Sequence, residues 1–209
     1  MPSHRAIVAM KVAVWVLCLL PLALLGLKFA QDGLGANPIE VITHATGDWT
    51  MRLLLTTLAI TPIRKLTGRL WLIRFRRLLG LFAFFYGVLH FITYIWLDKF
   101  FDIREMLADV AKRRFITVGF LGFALMIPLA LTSTQWAIRK LKKRWQLVHR
   151  LIYASAIAGV VHYWWLVKAD ITLPAVYAVI LGVLLLYRLV QRLIPTAAPR
   201  AKVVTAEAE

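Results

Sequence analysis

Long apolar stretches alternate with short charged segments along most of the chain, a pattern that indicates membrane-spanning helices. A helix needs about 20 apolar residues to cross a hydrocarbon core about 30 Å thick. The apolar stretches predict spans at residues 6–30, 49–63, 78–97, 115–134, 145–167 and 171–190. The expected fold is therefore all-α, a polytopic bundle of six transmembrane helices that forms one domain over residues 1–190.

Several segments depart from this simple alternation. The stretch 49–63 is short for a crossing, and Arg52 can extend it by reaching the near interface. Residues 31–48 are expected to form a loop. Residues 99–114 have apolar positions at near-helical spacing with charges between them, which predicts an amphipathic helix on the membrane surface or a docking surface for a soluble partner. Residues 191–209 are expected to be a flexible tail.

The start of the chain resembles a signal peptide, because basic residues precede an apolar stretch. The residues that follow this stretch lack the small-x-small pattern of a cleavage site. We therefore expect the first span to remain as an uncleaved anchor.

The composition changes the picture mainly through its charge. The chain is 61% hydrophobic, with a mean hydropathy of +0.73, which excludes an ordinary soluble domain. Its net charge of +16 would suit a nucleic-acid-binding protein, but the basic residues cluster in short segments between apolar spans. The densest clusters, 64–77 and 139–144, lie on the side of both termini. The positive-inside rule makes that side the cytosol, and nucleic acid is not an expected partner.

Cysteine and glycine patterns exclude several kinds of site. Cys18 is the single cysteine, so the chain forms no internal disulfide and no thiolate metal cluster. The C-x-x-C-H motif of covalent haem attachment is absent, and so is the G-x-G-x-x-G loop that binds dinucleotides. Any haem is therefore expected to be non-covalent, of the b type.

Three histidines lie inside predicted spans, where an ionisable side chain is costly and marks a functional site. His90 lies in the span 78–97, and His149 and His162 lie near opposite ends of the span 145–167. The alternative role for such a histidine is an interhelical hydrogen bond. His4 and His44 lie outside the spans and are expected to be solvated.

The spacing of these residues predicts a pair at matching depth. His90 follows Arg77 by thirteen residues, and His162 follows His149 by thirteen residues. The third and fifth spans run in the same direction, so His90 and His162 are expected at one level toward the outer face. Two imidazoles on neighbouring helices suit axial ligation of one haem iron. Arg77 and His149 are expected at the inner level.

Other interpretations of these side chains remain open at this point. Arg76, Arg77 and Arg150 either belong to solvated basic loops or contact a haem propionate in bidentate fashion. The histidines would instead relay protons if the chain were a transporter or proton channel. They would merely pack if the chain were a structural membrane anchor.

The segments RFRRLLGLFAFFYGVLHFITYIWLD, IPLALTST and KKRWQLVHRLIYASAIAGVVHYWW resemble the MsrQ (YedZ) family of haem-binding subunits, within the ferric-reductase-like transmembrane superfamily. The resemblance implies a haem between the third and fifth spans with His90 and His162 as its iron ligands. It also implies that His149 ligates a second, inner haem. Where related oxidases carry the partner histidine of that inner haem, this chain has Arg77 or a neighbour.

The same resemblance implies a function in the bacterial inner membrane. A non-catalytic subunit of this kind passes electrons to MsrP, a periplasmic molybdopterin enzyme that reduces methionine sulfoxide in oxidised proteins. The implied electron donors are quinol from the quinone pool or a cytosolic flavin reductase. FMN is a cofactor on the resemblance alone.

Overall fold

A computed structural model describes residues 2–194, and every regular element in this range is helical, which confirms the all-α prediction. The α-helices are α1 (His4–Ala30), α2 (Pro38–Thr67), α3 (Ile73–Ile92), α4 (Ile103–Lys112), α5 (Arg114–Leu131), α6 (Gln135–Leu141), α7 (Lys143–Val148), α8 (Leu151–Leu166) and α9 (Thr172–Leu193). A 3₁₀ turn, Leu70–Leu72, precedes α3, and a π-helical turn, Thr93–Asp98, follows it. The predicted tail lies outside the described residues from position 195 onward.

Four helical segments are long and apolar enough to cross a membrane, which identifies an integral membrane protein. They are His4–Ala30, Leu70–Asp98, Arg114–Leu131 and Thr172–Leu193. The other two predicted spans correspond to α2, whose ends are polar, and to the short helices α7 and α8. The total of six crossings and the cytosolic position of both ends remain predictions.

The expectation of a loop over residues 31–48 is wrong in its second half, because α2 begins at Pro38. The Asn37 side chain accepts a hydrogen bond from the Glu40 backbone N–H, and Pro38 occupies the first helical position, where its missing N–H costs nothing. At the other end, Gly68 adopts a left-handed conformation (φ +67°) that closes the helix. The added turns bring the start of α2 alongside the end of α3.

Two helical hairpins form the centre of the fold. In one hairpin α2 packs along α3, and in the other α5 packs along α8. Contacts within each hairpin are far more extensive than contacts between the two hairpins. Both α2 and α5 begin at the end of the bundle where α3 and α8 finish. We call this end the outer end, following the predicted orientation, and the opposite end the inner end. The helix α1 packs against α3, where the Trp15 ring lies 4.8 Å from the Phe82 ring and the Tyr86 hydroxyl donates to the Cys18 carbonyl at 2.7 Å.

The amphipathic helix predicted within residues 99–114 is present as α4, and a buried lysine fixes it. The Lys99 side chain is only 5% exposed, and its Nζ lies 2.8 Å from Asp109 Oδ2 and 2.6 Å from Glu105 Oε1. Asp109 is buried as well and also pairs with Arg113 at 3.3 Å. Through their contacts with Lys99, the acidic side chains of Glu105 and Asp109 therefore hold α4 to the segment that follows α3. Whether α4 also docks a partner remains a prediction.

Replacing Lys99 with Met is expected to lower the free energy of unfolding by about 3 kcal/mol, because it leaves the buried Asp109 carboxylate short of a partner. Arg113 still offsets part of that charge, which keeps the cost near the lower end of such losses. Unfolding of the detergent-solubilised protein measures the difference, and Lys112→Met, an exposed change at the end of α4, is the control. Equal stability of the two variants would contradict the prediction.

The stabilising effect of Lys99 has a defined pH dependence. Hydrogen bonds to Asp109 and Glu105 raise the pKa of Lys99 above its ordinary value. A raised lysine pKa stabilises the fold fully below the unfolded pKa of about 10.4 and loses that effect as pH rises through the folded pKa. The stability difference between the wild type and Lys99→Met is therefore expected to be constant through neutral pH and to shrink only under strongly alkaline conditions.

Candidate haem-binding site

The structure brings His90 and His162 together at the outer end. His90 lies in the last turn of α3, and His162 lies near the end of α8. The centroids of the two imidazole rings are 6.1 Å apart, and their planes are inclined by 76°. Helices from two different hairpins thus supply one pair of neighbouring rings.

Both imidazoles are held in the same way by a backbone carbonyl. His90 Nδ1 lies 2.9 Å from the Thr43 carbonyl oxygen, and His162 Nδ1 lies 2.7 Å from the Phe115 carbonyl oxygen. A carbonyl oxygen only accepts, so each Nδ1 must carry the proton and donate it. In the neutral ring, Nε2 then keeps its lone pair. Metal-ligating histidines show this arrangement, in which the second ring nitrogen donates to an outer partner.

Two glycines make room for these rings. A Cβ atom at Gly119 would lie 2.6 Å from His162 Nδ1, and one at Gly47 would lie 3.1 Å from His90 Nδ1. The first distance is far inside van der Waals contact, whereas the second requires a small displacement. Each glycine follows its carbonyl residue, Phe115 or Thr43, by one helical turn. The backbone of α5 and α2 therefore approaches each imidazole along a side-chain-free edge.

The donor set fits haem better than a bare metal ion. Within residues 2–194 no group of three or more histidine, cysteine, aspartate or glutamate side chains lies close enough to hold a metal. Protein zinc sites need three or four such ligands, whereas a haem macrocycle supplies four of its own. An imidazole nitrogen bonds a metal at roughly 2 Å, so two rings on opposite sides of one ion have centroids about 6 Å apart. His90 and His162 meet this condition.

Aromatic rings pack between α3 and α5, and one of them lies beside the histidine pair. Phe91 stacks on Phe123 with ring centroids 4.8 Å apart, and Phe84 stacks on the same ring at 5.8 Å. The Phe115 ring lies 6.0 Å from the His162 ring. No carboxylate is bonded to either imidazole among the described residues. A charged imidazolium at either position would therefore have no carboxylate partner within these residues.

The structure places His149 at the inner end, away from this pair. His149 Nε2 lies 3.1 Å from the Thr132 hydroxyl, and the Trp145 ring stacks on its imidazole at 3.9 Å. Trp145 in turn donates to the Thr132 carbonyl at 2.9 Å. His149 thus belongs to a separate polar cluster between α5 and α7.

The three candidate arginines differ in their surroundings. Arg77 and Arg150 are exposed, and neither makes a side-chain hydrogen bond or ion pair within residues 2–194. Arg76 is half-buried and lies near His149. The expectation of a basic loop over residues 64–77 is wrong at both ends, because α2 continues to Thr67 and α3 begins at Ile73, which leaves residues 68–72 as the connection. Arg76 therefore projects from a helix into the bundle.

The sequence alone did not identify the residues that orient the two imidazoles. A usable signal was present, because Gly87-Val88-Leu89-His90 and Gly159-Val160-Val161-His162 are near-identical segments at the ends of two spans. Each histidine also follows its partner carbonyl by 47 residues. This repetition marks equivalent positions in the two hairpins and points to Thr43 and Phe115, and to the glycines beside them.

Comparisons with known proteins identify the family of this chain. A family model described as "Ferric reductase like transmembrane component" matches residues 46–160, more than half of the chain. The heme-binding subunit MsrQ of protein-methionine-sulfoxide reductase from Herminiimonas arsenicoxydans is 53% identical over 190 residues, covering 90% of this chain and 87% of that protein. The MsrQ subunit from Azospira oryzae is 52% identical over 194 residues, covering 92% and 83%. No solved structure matches. The chain belongs to the MsrQ family, within the ferric-reductase-like transmembrane proteins.

Proposed function

We propose that this chain is the electron-transfer subunit of a methionine sulfoxide reductase system in the bacterial inner membrane. It holds a b-type haem between His90 and His162 and passes electrons to MsrP, the periplasmic enzyme that repairs oxidised proteins. The electrons come from quinol in the bilayer or from a cytosolic flavin reductase. The chain itself performs no reaction on methionine sulfoxide.

The observation that carries this proposal is the pair of oriented imidazoles. The Thr43 and Phe115 carbonyls hold the proton of each ring on Nδ1, so both Nε2 atoms are available as ligands. A histidine that only packed between helices would not need this matched arrangement on two hairpins. Haem, when bound there, supplies a one-electron redox centre whose potential depends on its axial ligands and burial.

The position of the pair suits delivery of electrons to an outer partner. His90 and His162 lie near the outer ends of α3 and α8, within reach of the surface on which α4 lies. The phenylalanine rings between α3 and α5 add apolar surface near the pair, and the hydrogen-bonded imidazoles need little reorganisation when the charge changes. Both features favour rapid electron transfer over side reactions with solvent.

The proposal also includes a second haem at the inner end with His149 as one ligand. This second haem rests on the family resemblance. Arg77 and Arg150 are its proposed propionate partners. Support comes from the position of His149 at the opposite end of the bundle from the outer pair. Ligation through Nε2 requires Thr132 to give up its bond to this nitrogen.

Visible spectra of the purified full-length protein test the proposed function. We expect a Soret band that shifts on reduction with dithionite, followed by reoxidation when MsrP and a methionine-sulfoxide-containing protein are added. When MsrP is added without that substrate, reoxidation should stop once the amount of haem oxidised is stoichiometric with the MsrP added. A colourless protein that carries a pH-dependent flux would support a proton channel instead. A haem-free complex that still retains MsrP at the membrane would support a structural anchor.

A further inference from the structure

A cluster of cationic side chains without carboxylate partners lies at the inner end of the bundle. Arg64 comes from the end of α2, Arg76 from the start of α3 and Arg188 from the end of α9. Arg76 lies close enough to Arg188 and Arg64 for electrostatic repulsion, and all three guanidinium groups are at least partly withdrawn from solvent. We call these three residues the arginine cluster.

Carboxylates do not balance this charge within the described part of the chain. The ion pairs of residues 2–194 are formed by Arg52, Lys99 and Arg113, all near the outer end. Like charges brought together in a medium of low dielectric constant repel strongly, and withdrawing them from water adds a further cost. An uncompensated arrangement of this kind needs a source of negative charge.

The hydrogen-bonding capacity of the cluster is also incompletely used. Arg188 donates to the Tyr153 hydroxyl and, at 2.6 Å, to the Leu58 carbonyl, which occupies two of its five N–H groups. The Nε atoms of Arg188 and Arg64 are buried and have no hydrogen-bond partner. The buried Thr61 hydroxyl, one turn before Arg64 on α2, has none either. Unpaired buried polar atoms are rare in folded proteins. Here three belong to residues that lie on, or are bonded to, the segment 58–64 of α2.

The depth of the cluster limits what can reach it. Arg188 follows the first residue of α9 by sixteen positions, which corresponds to a rise of about 24 Å along the helix. In a hydrocarbon core about 30 Å thick, this places the cluster near the inner interface. A ligand can therefore enter from the cytosolic solution or from the inner leaflet.

We propose that Arg64, Arg76 and Arg188, with Thr61 and Tyr153 beside them, form a binding site for an oxyanion group, a phosphate or a carboxylate. Guanidinium groups suit this role because their planar N–H donors match both oxyanions in bidentate geometry. The group has three sources: the phosphate of a flavin mononucleotide, the propionate of a haem and the headgroup of an acidic phospholipid. All three share the chemistry that the cluster recognises.

Three matched probe pairs distinguish these sources, and each pair differs only in the oxyanion. They are flavin mononucleotide against riboflavin, haem against haem dimethyl ester, and phosphatidic acid against diacylglycerol. Binding to the purified full-length protein is measured by fluorescence quenching, visible absorption and native mass spectrometry, respectively. We expect at least one charged probe to bind tenfold or more tightly than its neutral counterpart.

The variant Arg64→Gln is the principal test, because Arg64 forms no hydrogen bond or ion pair within the described residues, so we expect its loss to leave the fold intact. We expect it to reduce the preference for the charged probe tenfold or more. The control Arg139→Gln removes an exposed cation at the same end and should leave the preference unchanged. The proposal is overturned if no pair is discriminated, or if the preference survives in Arg64→Gln, Arg76→Gln and Arg188→Gln alike.

Thermal unfolding gives a second, independent measurement. Without added ligand, Arg76→Gln is expected to raise the melting temperature because it relieves repulsion within the arginine cluster. The same variant should lose the stabilisation that the charged probe gives to the wild type. A lower melting temperature without ligand would show that Arg76 is structural and would overturn the proposal. The spectrum of the outer haem, which depends on His90 and His162, should not change in any of these variants, so this test is independent of the proposed function.

Discussion

Purified protein that carries His90→Ala or His162→Ala is expected to lose the absorption band of the outer haem. Each change removes one of the two proposed iron ligands, whose ring centroids lie 6.1 Å apart, and leaves the other imidazole alone at the site. Loss of an outer-shell partner of a metal ligand costs roughly 10–100-fold in affinity, so loss of a ligand itself is expected to cost at least 100-fold. Absorption spectra and a pyridine haemochrome assay of haem per protein measure the effect.

The matched control for these variants is His44→Ala. His44 is an exposed histidine on α2 that makes no side-chain hydrogen bond within the described residues. The His44→Ala protein should retain the full haem content. The His90→Ala and His162→Ala proteins should still insert into the membrane at normal levels. If the variant with alanine at both 90 and 162 kept a full Soret band, the ligand assignment would be wrong.

A second large effect is expected at Gly119, which touches no cofactor by itself. A methyl group on this residue would lie 2.6 Å from His162 Nδ1 and 2.9 Å from its Cε1 atom. The ring must then move and break its bond to the Phe115 carbonyl. Overpacking of this kind costs about 1–3 kcal/mol, so Gly119→Ala is expected to weaken haem binding by roughly 5- to 150-fold. Titration of haem into the apoprotein measures the change.

Two other glycines provide graded comparisons. The added methyl in Gly47→Ala meets His90 Nδ1 at 3.1 Å, so its effect should have the same direction and be smaller. Gly182→Ala on α9 meets no atom within 4 Å and should leave haem affinity unchanged, with slightly higher helix stability. Equal haem affinities in Gly119→Ala and Gly182→Ala would refute the proposed clearance between α5 and the His162 ring.

The sequence was sufficient to place the central histidines on the right elements. The positions of His90 and His162 in apolar stretches, and their common distance from Arg77 and His149, follow from counting along the chain. These features depend on length and hydrophobicity, which are local properties. The meeting of the two rings at the outer end was therefore predictable, whereas the way they are oriented was not.

Thr43 and Phe115 escaped prediction because they act through their backbone. A carbonyl oxygen is common to every residue, so residue type carries no signal for this role. Thr43 was also assigned to a loop, since the start of α2 is polar and its hydrophobic periodicity is weak. The Asn37 cap followed by Pro38 was the available evidence for a helix there. The low apolar content of the following residues favoured a loop instead.

The arginine cluster was hidden for a different reason. Basic residues at the ends of spans are expected from membrane topology alone, so Arg64 and Arg76 gave no reason to look further. Arg188 lies more than a hundred residues away, and only the folded chain brings it to the end of α2, where it bonds the Leu58 carbonyl. Long-range convergence of like charges cannot be seen from local sequence.

The two proposed iron ligands lie on separate hairpins, and this division has a consequence for biogenesis. Contacts between the two hairpins are sparse. A haem bound by residues of both hairpins would therefore contribute its binding free energy to holding the hairpins together. In a newly inserted chain without haem, the two hairpins should thus separate more readily and expose the surfaces between them to membrane proteases. Cellular abundance of the subunit would then follow haem supply, even at constant synthesis.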